Sequence, residues 1–329
     1  MILLTGATGL LGSHVLLQLL ESGRQVRALY RTPENKARTK SLFAFYQRPE
    51  LFADIDWVQA DINDIPSLEA AFKDIDFVYH AAAYISFDPY DEDKLRKINI
   101  EGTANVVNCC LAFGVKKLCH VSSIAALGDP LDFQFSVNEE TEWNPEKPHS
   151  DYAISKHGAE MEIWRGQQEG LDVVMVNPGI IIGPPFWETG SSAMYKMIEN
   201  GQRFYTFGTM GFVSARDVAK IMVLLMDSDI SGEHFTLSAG DFSYRDIFFM
   251  AADAMQKKRP TMYAKPWMTA AGARLDWLLS IFGKKRVLTL DQARAAHETI
   301  AYPNDKIVQA LGFKFTPPEQ IFAEIFRNN

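Results

Sequence analysis

Residues 1–12 read MILLTGATGLLG. A short apolar run leads into glycines at 6, 9 and 12, and an amphipathic stretch follows. This order predicts a strand, a tight turn and the start of a helix. Gly6 permits the tight backbone, Gly9 lets a pyrophosphate approach closely, and Gly12 lets the helix pack on the strand. The free N–H groups and positive end of such a helix face a phosphate. Glycines at this spacing are weak on their own, so the context has to carry the reading.

Working outward, strand-like and helix-like runs alternate through the first half. Strands are expected at 1–5, 25–30, 55–59, 76–80, 115–121 and 171–176, and helices at 10–22, 34–46, 66–73, 91–113 and 151–169. The strands are nearly continuous apolar runs, as in a parallel sheet covered on both faces. The expected fold class is therefore α/β, a doubly wound parallel sheet with right-handed crossovers. After residue 180 the pattern loosens at Pro184-Pro185, and 186–212 is rich in aromatics and glycine. A strand near 212–214, a helix at 215–228 and a strand near 233–237 are read as one more unit of the sheet. Helices are expected at 243–257, 265–282, 289–298, 304–310 and 317–327. The expected organisation is a dinucleotide-binding domain over 1–180, with 212–238 returning to its sheet. A smaller, mostly helical substrate-binding region spans 181–211 and 239–329. No internal repeat or low-complexity segment is visible.

Composition narrows the classes. The chain has 329 residues, 47% hydrophobic and 22% charged, ordinary for a globular protein. A net charge of −8 argues against a sequence-independent grip on nucleic acid. Cys109, Cys110 and Cys119 form neither a disulfide framework nor a metal-ligand pattern, so reduced thiols in a cytoplasmic protein are expected. Met1 already belongs to the first strand, so no signal peptide is expected. No run of about 18 uncharged apolar residues supports a spanning helix. Residues 262–282 read as an apolar helix with Trp267, Leu275, Leu278 and Leu279 on one broad side. The plainer reading is a helix that closes the substrate region; the sharper one is peripheral contact with a membrane.

The chemistry-bearing residues begin with YAISK, which sets Tyr152 and Lys156 on one helical face. A nearby ammonium lowers the pKa of a phenol, which then exchanges a proton with a carbonyl or alcohol oxygen. Alone, the pair most often marks a solvated helix face. The strand end LCHVSSIAALG (118–128) adds Ser122 and Ser123 at the carboxyl edge of the sheet, where ligands of open α/β sheets bind. A hydroxyl there holds a reacting oxygen or merely satisfies a loop backbone. Glycine turn, serine edge and Tyr/Lys pair in this order point to a redox site.

These segments resemble the extended short-chain dehydrogenase/reductase family over nearly the whole chain. The matching pieces are GATGLLG (6–12), ADI (60–62), HAAA (80–83), NIEGT (99–103), VSSIAALG (121–128), YAISK (152–156), NPGIIIGPP (177–185), FVSARDVA (212–219) and YPNDKIVQALGF (302–313). The resemblance implies a Rossmann sheet and a set of roles. Gly6, Thr8, Gly9, Leu10, Leu11 and Gly12 would lie along the pyrophosphate. Asp61 and Ile62 would contact the adenine, and Ala81, Ala82, Ala83 and Pro178 would flank the nicotinamide half. Asn99 would fix the active-site helix or serve as a helix cap. Ser123, with Ser122 as fallback, would hold the substrate oxygen. Tyr152 would be the acid/base, and Lys156 would bind the nicotinamide ribose and lower the tyrosine pKa. A homodimer joined by the helices at 91–113 and 151–169 is also implied.

Two departures refine the expectation. Strand two ends ALYRTPENKAR (28–38), with Arg31 where an acid would bind a free ribose 2′-hydroxyl, and with Lys36 and Arg38 following. A guanidinium pairs with a 2′-phosphate, so NADP is favoured over NAD. Met210 stands where nucleotide-sugar members carry an arginine, and Ser214 replaces the histidine often near it. A diphosphate there would lose a charge-assisted bond of roughly 1.5–3 kcal/mol. Asn177 and Arg203 remain as sugar-nucleotide contacts. The expected pocket wall is aromatic: Tyr84, Phe87, Phe133, Phe135, Phe186, Trp187, Tyr195, Phe204 and Phe207. The profile looks closer to the dihydroflavonol reductase-like and 3β-hydroxysteroid dehydrogenase-like branches. The expected function is NADPH-dependent reduction of a small carbonyl, or oxidation of the alcohol. The alternatives are a sugar epimerase or dehydratase with retained cofactor, and an NADP-sensing binding protein.

Overall fold

A computed structural model describes residues 1–130, 135–184, 193–281, 286 and 288–327. In chain order the first half runs β1 (Ile2–Thr5), α1 (Leu10–Glu21), β2 (Val26–Tyr30), α2 (Lys36–Phe45), β3 (Asp56–Gln59), α3 (Ile65–Ala71), β4 (Phe77–His80), α4 (Glu92–Leu95), α5 (Gly102–Ala112), β5 (Lys117–Val121) and α6 (Asp151–Gln168). Then follow β6 (Asp172–Pro178), β7 (Ile180–Ile182), α7 (Ala193–Glu199), β8 (Phe204–Tyr205), β9 (Thr209–Ser214), α8 (Ala215–Asp227) and β10 (Glu233–Leu237). The remainder is β11 (Asp241–Ser243), α9 (Tyr244–Ala254), β12 (Met262–Tyr263), α10 (Pro266–Ser280), α11 (Leu290–Ala295), α12 (Asp305–Leu311) and α13 (Pro318–Ile325).

Seven strands form one parallel sheet in the order β10-β6-β5-β4-β1-β2-β3. Side chains alternate across it, so Ile2 and Leu4 face one layer and Leu3 the other. The first layer packs α1 and α8 through Val15, Leu16, Leu19, Ile221, Met222 and Leu225. The second packs α3, α5 and α6 through Leu68, Val106, Val107 and Ile163. This is the doubly wound α/β fold that the alternation implied. A third apolar cluster (Ile182, Tyr195, Phe212, Ile247, Phe322 and Phe326 among others) joins α7, α9 and α13 beyond the sheet.

Four local readings need correction. The strand near 212–214 does not join the main sheet; β9 pairs with β7 and β11 in a separate three-stranded sheet, and only β10 returns. The single helix expected at 91–113 is α4, a π-helical stretch at Arg96–Glu101, and α5. That wider turn sets Ile100 against α6, where a Cβ at Gly158 would meet it at 2.6 Å. Helix α7 lies in a stretch whose aromatics and glycines had read as irregular. Finally, the apolar side of α10 is turned outward: Trp267, Leu275, Leu278 and Leu279 are all exposed.

Candidate active site

Two glycines fix the first turn. Gly6 has φ +70°, and a Cβ there would sit 2.6 Å from the backbone joining Ala81 and Ala82. A Cβ at Gly12 would sit 2.1 Å from the Gly6 carbonyl oxygen. Gly9 differs: its backbone is extended, and a Cβ there would meet only the Gly6 oxygen at 3.4 Å. Gly9 caps α1 without a side-chain hydrogen bond, and no acid lies in the first helical turn. The first N–H groups of α1 therefore have no side-chain cap.

A cleft of about 280 Å³ opens at the carboxyl edges of β1, β2, β3 and β4. Among expected residues, Gly6, Thr8, Gly9, Arg31, Asp61, Ile62, Ala81, Ala82 and Ala83 line it. Leu10, Leu11, Gly12, Ser123, Tyr152, Lys156 and Pro178 do not; Leu11, Gly12 and Pro178 are buried. Asn35, Arg38, Tyr84 and Ile98 also line the cleft. Neither Arg31 nor Arg38 has a salt-bridge partner among the described residues. Lys36 is not part of the lining; its Nζ lies 4.2 Å from the centre of the Tyr30 ring.

The candidate reacting groups, Ser123, Tyr152 and Lys156, lie outside that lining, and Asn99 links the helix of the last two to the Tyr84 wall. Ser150 caps α6 by accepting from the Ala153 N–H, which starts the helix just ahead of Tyr152. Lys156 is buried and donates Nζ to the Val121 carbonyl at the end of β5 (2.7 Å). Ser123 follows that strand and accepts from the Ala125 N–H, and its hydroxyl lies near enough to the Tyr152 phenol to favour the ionised form. Phe87 lies against Tyr152, 5.5 Å between ring centres. Asn99 is not a cap: its amide bonds the Tyr84 backbone at 2.7 and 2.9 Å and Ser155 Oγ at 2.9 Å. It thus ties the cleft wall to α6.

Burial raises the Tyr152 pKa, with the Ser123 hydroxyl opposing it. The lowering expected from Lys156 is not found: burial raises the phenol, and Ser123 is the group that opposes it. Burial also pulls Lys156 down to about 8, with Glu160 opposing. Glu160, one turn further along α6, is pushed up to about 7 by burial. It accepts from Asn177 Nδ2 at 2.6 Å, and that amide also donates to the Ser123 carbonyl. Asn177 is fully buried by these contacts, so it is not presented to a sugar nucleotide.

A polar chain runs from the glycine turn toward α5. The Ala82 N–H donates to Thr5 Oγ1, which meets His80 Nδ1 at 2.7 Å, and His80 Nε2 meets Thr103 Oγ1 at 3.0 Å. Burial holds His80 down at about 3. His120 lies 5.0 Å away, ring to ring. Sequence reading missed Glu160, His80 and His120; the only available signal was a polar side chain within an otherwise apolar strand or below Lys156 at helical spacing.

The aromatic wall is only partly realised. Tyr84 lines the cleft and Phe87 covers Tyr152. Tyr195 is core, packed on Phe322 and Phe326. Phe135, Phe204 and Phe207 are exposed, and so is Arg203. Phe133, Phe186 and Trp187 lie outside the described residues. Met210 packs with Ile124, Leu127 and Val137 beside the Ser123 turn, and Ser214 caps α8.

The family of NAD dependent epimerases/dehydratases matches residues 2–238, and the chain belongs to it. The chain is 29% identical over 268 residues to sterol demethylase protein B of Methylococcus capsulatus (80% of this chain, 77% of that protein). It is 27% identical over 330 residues to a putative dihydroflavonol 4-reductase of Synechocystis sp. (97% and 92%). The crystal structure of gox2253 superposes with a TM-score of 0.82 at 25% identity, covering 99% and 96%. The chain is thus an NAD(P)-dependent oxidoreductase acting on a small molecule. The uncapped α1 and the open side of Gly9 fit a pyrophosphate. Among the described residues no helix is long and apolar enough to cross a membrane, and no cluster could hold a metal ion.

Two outcomes follow. Gly12→Ala should destabilise the fold by several kcal/mol, about 3 or more, whereas Gly9→Ala should keep the melting temperature and weaken NADPH binding. Thermal melts and a binding titration check this; loss of folding in both variants would contradict it. Folded Glu160 holds its proton more tightly than the unfolded chain does, so its stabilising contribution is lost as pH rises toward 7. Urea unfolding of Glu160→Gln should therefore gain on wild type by roughly 2–3 kcal/mol between pH 5 and 8. A difference independent of pH would contradict the buried carboxyl.

Proposed function

We propose that the protein is an NADPH-dependent reductase of a ketone or aldehyde that carries no nucleotide handle. The bound dinucleotide supplies the hydride. Gly6, Thr8, Gly9 and the start of α1 hold the pyrophosphate, and Asp61 and Ile62 border the adenine. Arg31 and Arg38 pair with the 2′-phosphate, while Ala81, Ala82 and Ala83 flank the nicotinamide half. Lys156 Nζ binds the ribose. The Ser123 hydroxyl holds the substrate oxygen, and Tyr152 donates its phenolic proton to that oxygen as negative charge develops.

The observation that carries the reading is the Tyr152–Ser123 pair beside a turn walled by Met210 and Ile124. The Tyr152 phenol, raised by burial, is held in the protonated form that a proton donor requires. An apolar wall suits a substrate without phosphate. An epimerase or dehydratase would use the same pair, but among the described residues no feature of the wall favours a nucleotide sugar. The reading includes a homodimer formed through α5 and α6, whose ends and outer face expose Phe113 and Met161. It also includes a cytoplasmic setting, in keeping with three free, buried thiols.

Tyr152→Phe should lower turnover by about two to four orders of magnitude while leaving NADPH affinity near wild type. Stoichiometric loss of NADPH absorbance with a carbonyl panel is the assay; near-normal turnover by the variant would remove the tyrosine from its role. Arg31→Ala combined with Arg38→Ala should cut NADPH affinity on the order of tenfold to a hundredfold and spare NADH. A wild-type preference for NADH would contradict the phosphate assignment.

A further inference from the structure

Helix α10 is built inside out. Ala273 is its one buried residue among those described. The face turned to the protein is small or polar. Thr269 Oγ1 bonds the Ala293 carbonyl and His297 Nε2, and Asp276 accepts from the Leu288 N–H. The opposite face carries Trp267, Ala271, Arg274, Leu275, Leu278 and Ile281, which recur at helical spacing along one stripe. Trp267 is 68% exposed, Leu275 58%, Leu278 47% and Ile281 62%, with Trp277 at 50% beside them. A helix resting on a soluble core has the reverse arrangement. An apolar stripe of this extent marks a surface that meets something apolar.

Charge selects the occupant. Between residues 262 and 286 stand five basic residues and one acid, inside a chain of net charge −8. That acid, Asp276, is turned inward to the Leu288 N–H. Lys265 and Arg274 are exposed, at the start of the helix and within the apolar stripe. Tryptophans in the stripe have an apolar body and a polar N–H, the pattern of a membrane–water boundary. The exposed cations Lys265 and Arg274 on an apolar, tryptophan-bearing face fit an anionic lipid surface. At 15 residues the helix is too short to span and suited to lie flat.

We infer that α10 docks the protein, in the plane of the interface, on bilayers bearing anionic lipid. Trp267, Leu275, Leu278 and Ile281 enter the acyl boundary, while Lys265 and Arg274 meet the headgroups. None of these residues lines the cleft, so the inference is independent of the reductase reading.

Vesicle sedimentation tests it, using the full-length protein with phosphatidylcholine vesicles, with and without phosphatidylglycerol. The wild type should pellet with the anionic vesicles and release in high salt. Trp267→Ser with Leu278→Ser should weaken that binding by about tenfold or more. Both side chains are exposed, so the variant should keep its melting temperature and its NADPH affinity, which separates failed docking from a failed cofactor site. Absence of sedimentation with either vesicle, or equal sedimentation of the variant, would overturn the inference. So would light scattering that shows a wild-type dimer dissociated by the same two substitutions, because the stripe would then be a contact between copies of this chain.

Discussion

Backbone meets backbone in the first turn at distances that leave no room for a methyl group, and the rest of the site depends on that approach. Gly6 lies against the chain leaving β4, and Gly12 lies against Gly6. These contacts set α1 over the sheet edge with its first N–H groups uncapped. The cleft opens on that side, and the groups that line it come from the ends of β1, β2, β3 and β4 and the segments that follow. Gly9 alone of the three would accept a methyl group without a backbone clash, so its backbone is not required by the packing of the turn.

The chemistry rests on a buried polar layer beneath α6. Tyr152, Lys156 and Glu160 follow one another at helical spacing, and Asn177 connects Glu160 to the Ser123 carbonyl. Removing such groups from water is unfavourable, so each is held by specific partners. The same burial keeps the tyrosine protonated and brings the lysine and glutamate toward neutrality. Asn99 couples this layer to Tyr84 on the cleft wall. The cleft wall at Tyr84 and the helix that carries Tyr152 are thus registered through a short chain of hydrogen bonds.

Much of the sheet was legible because its strands are buried on both faces and read as apolar runs between helices. Strand β9 misled because Phe212-Val213 ahead of a helix imitates another β–α unit, and pairing partners leave no local mark. The π-helical stretch at Arg96–Glu101 hides within a continuous helical pattern. Glu160, His80 and His120 escaped notice because their burial depends on how α6 and the strands are registered, a tertiary fact. Helix α10 was readable as amphipathic, but not the direction in which its apolar side turns. Asn99 offered two local readings, and only its distant partners Tyr84 and Ser155 decide between them.

The central claim is that one dinucleotide spans the cleft from Arg31 to Lys156 and ends beneath Tyr152. A crystal structure of the protein with NADPH tests it most directly. The account predicts the pyrophosphate on the Gly6–Gly9 turn, the 2′-phosphate between Arg31 and Arg38, and a ribose hydroxyl on Lys156 Nζ. A nucleotide bound away from that turn, or a Tyr152 hydroxyl directed away from the nicotinamide, would contradict it.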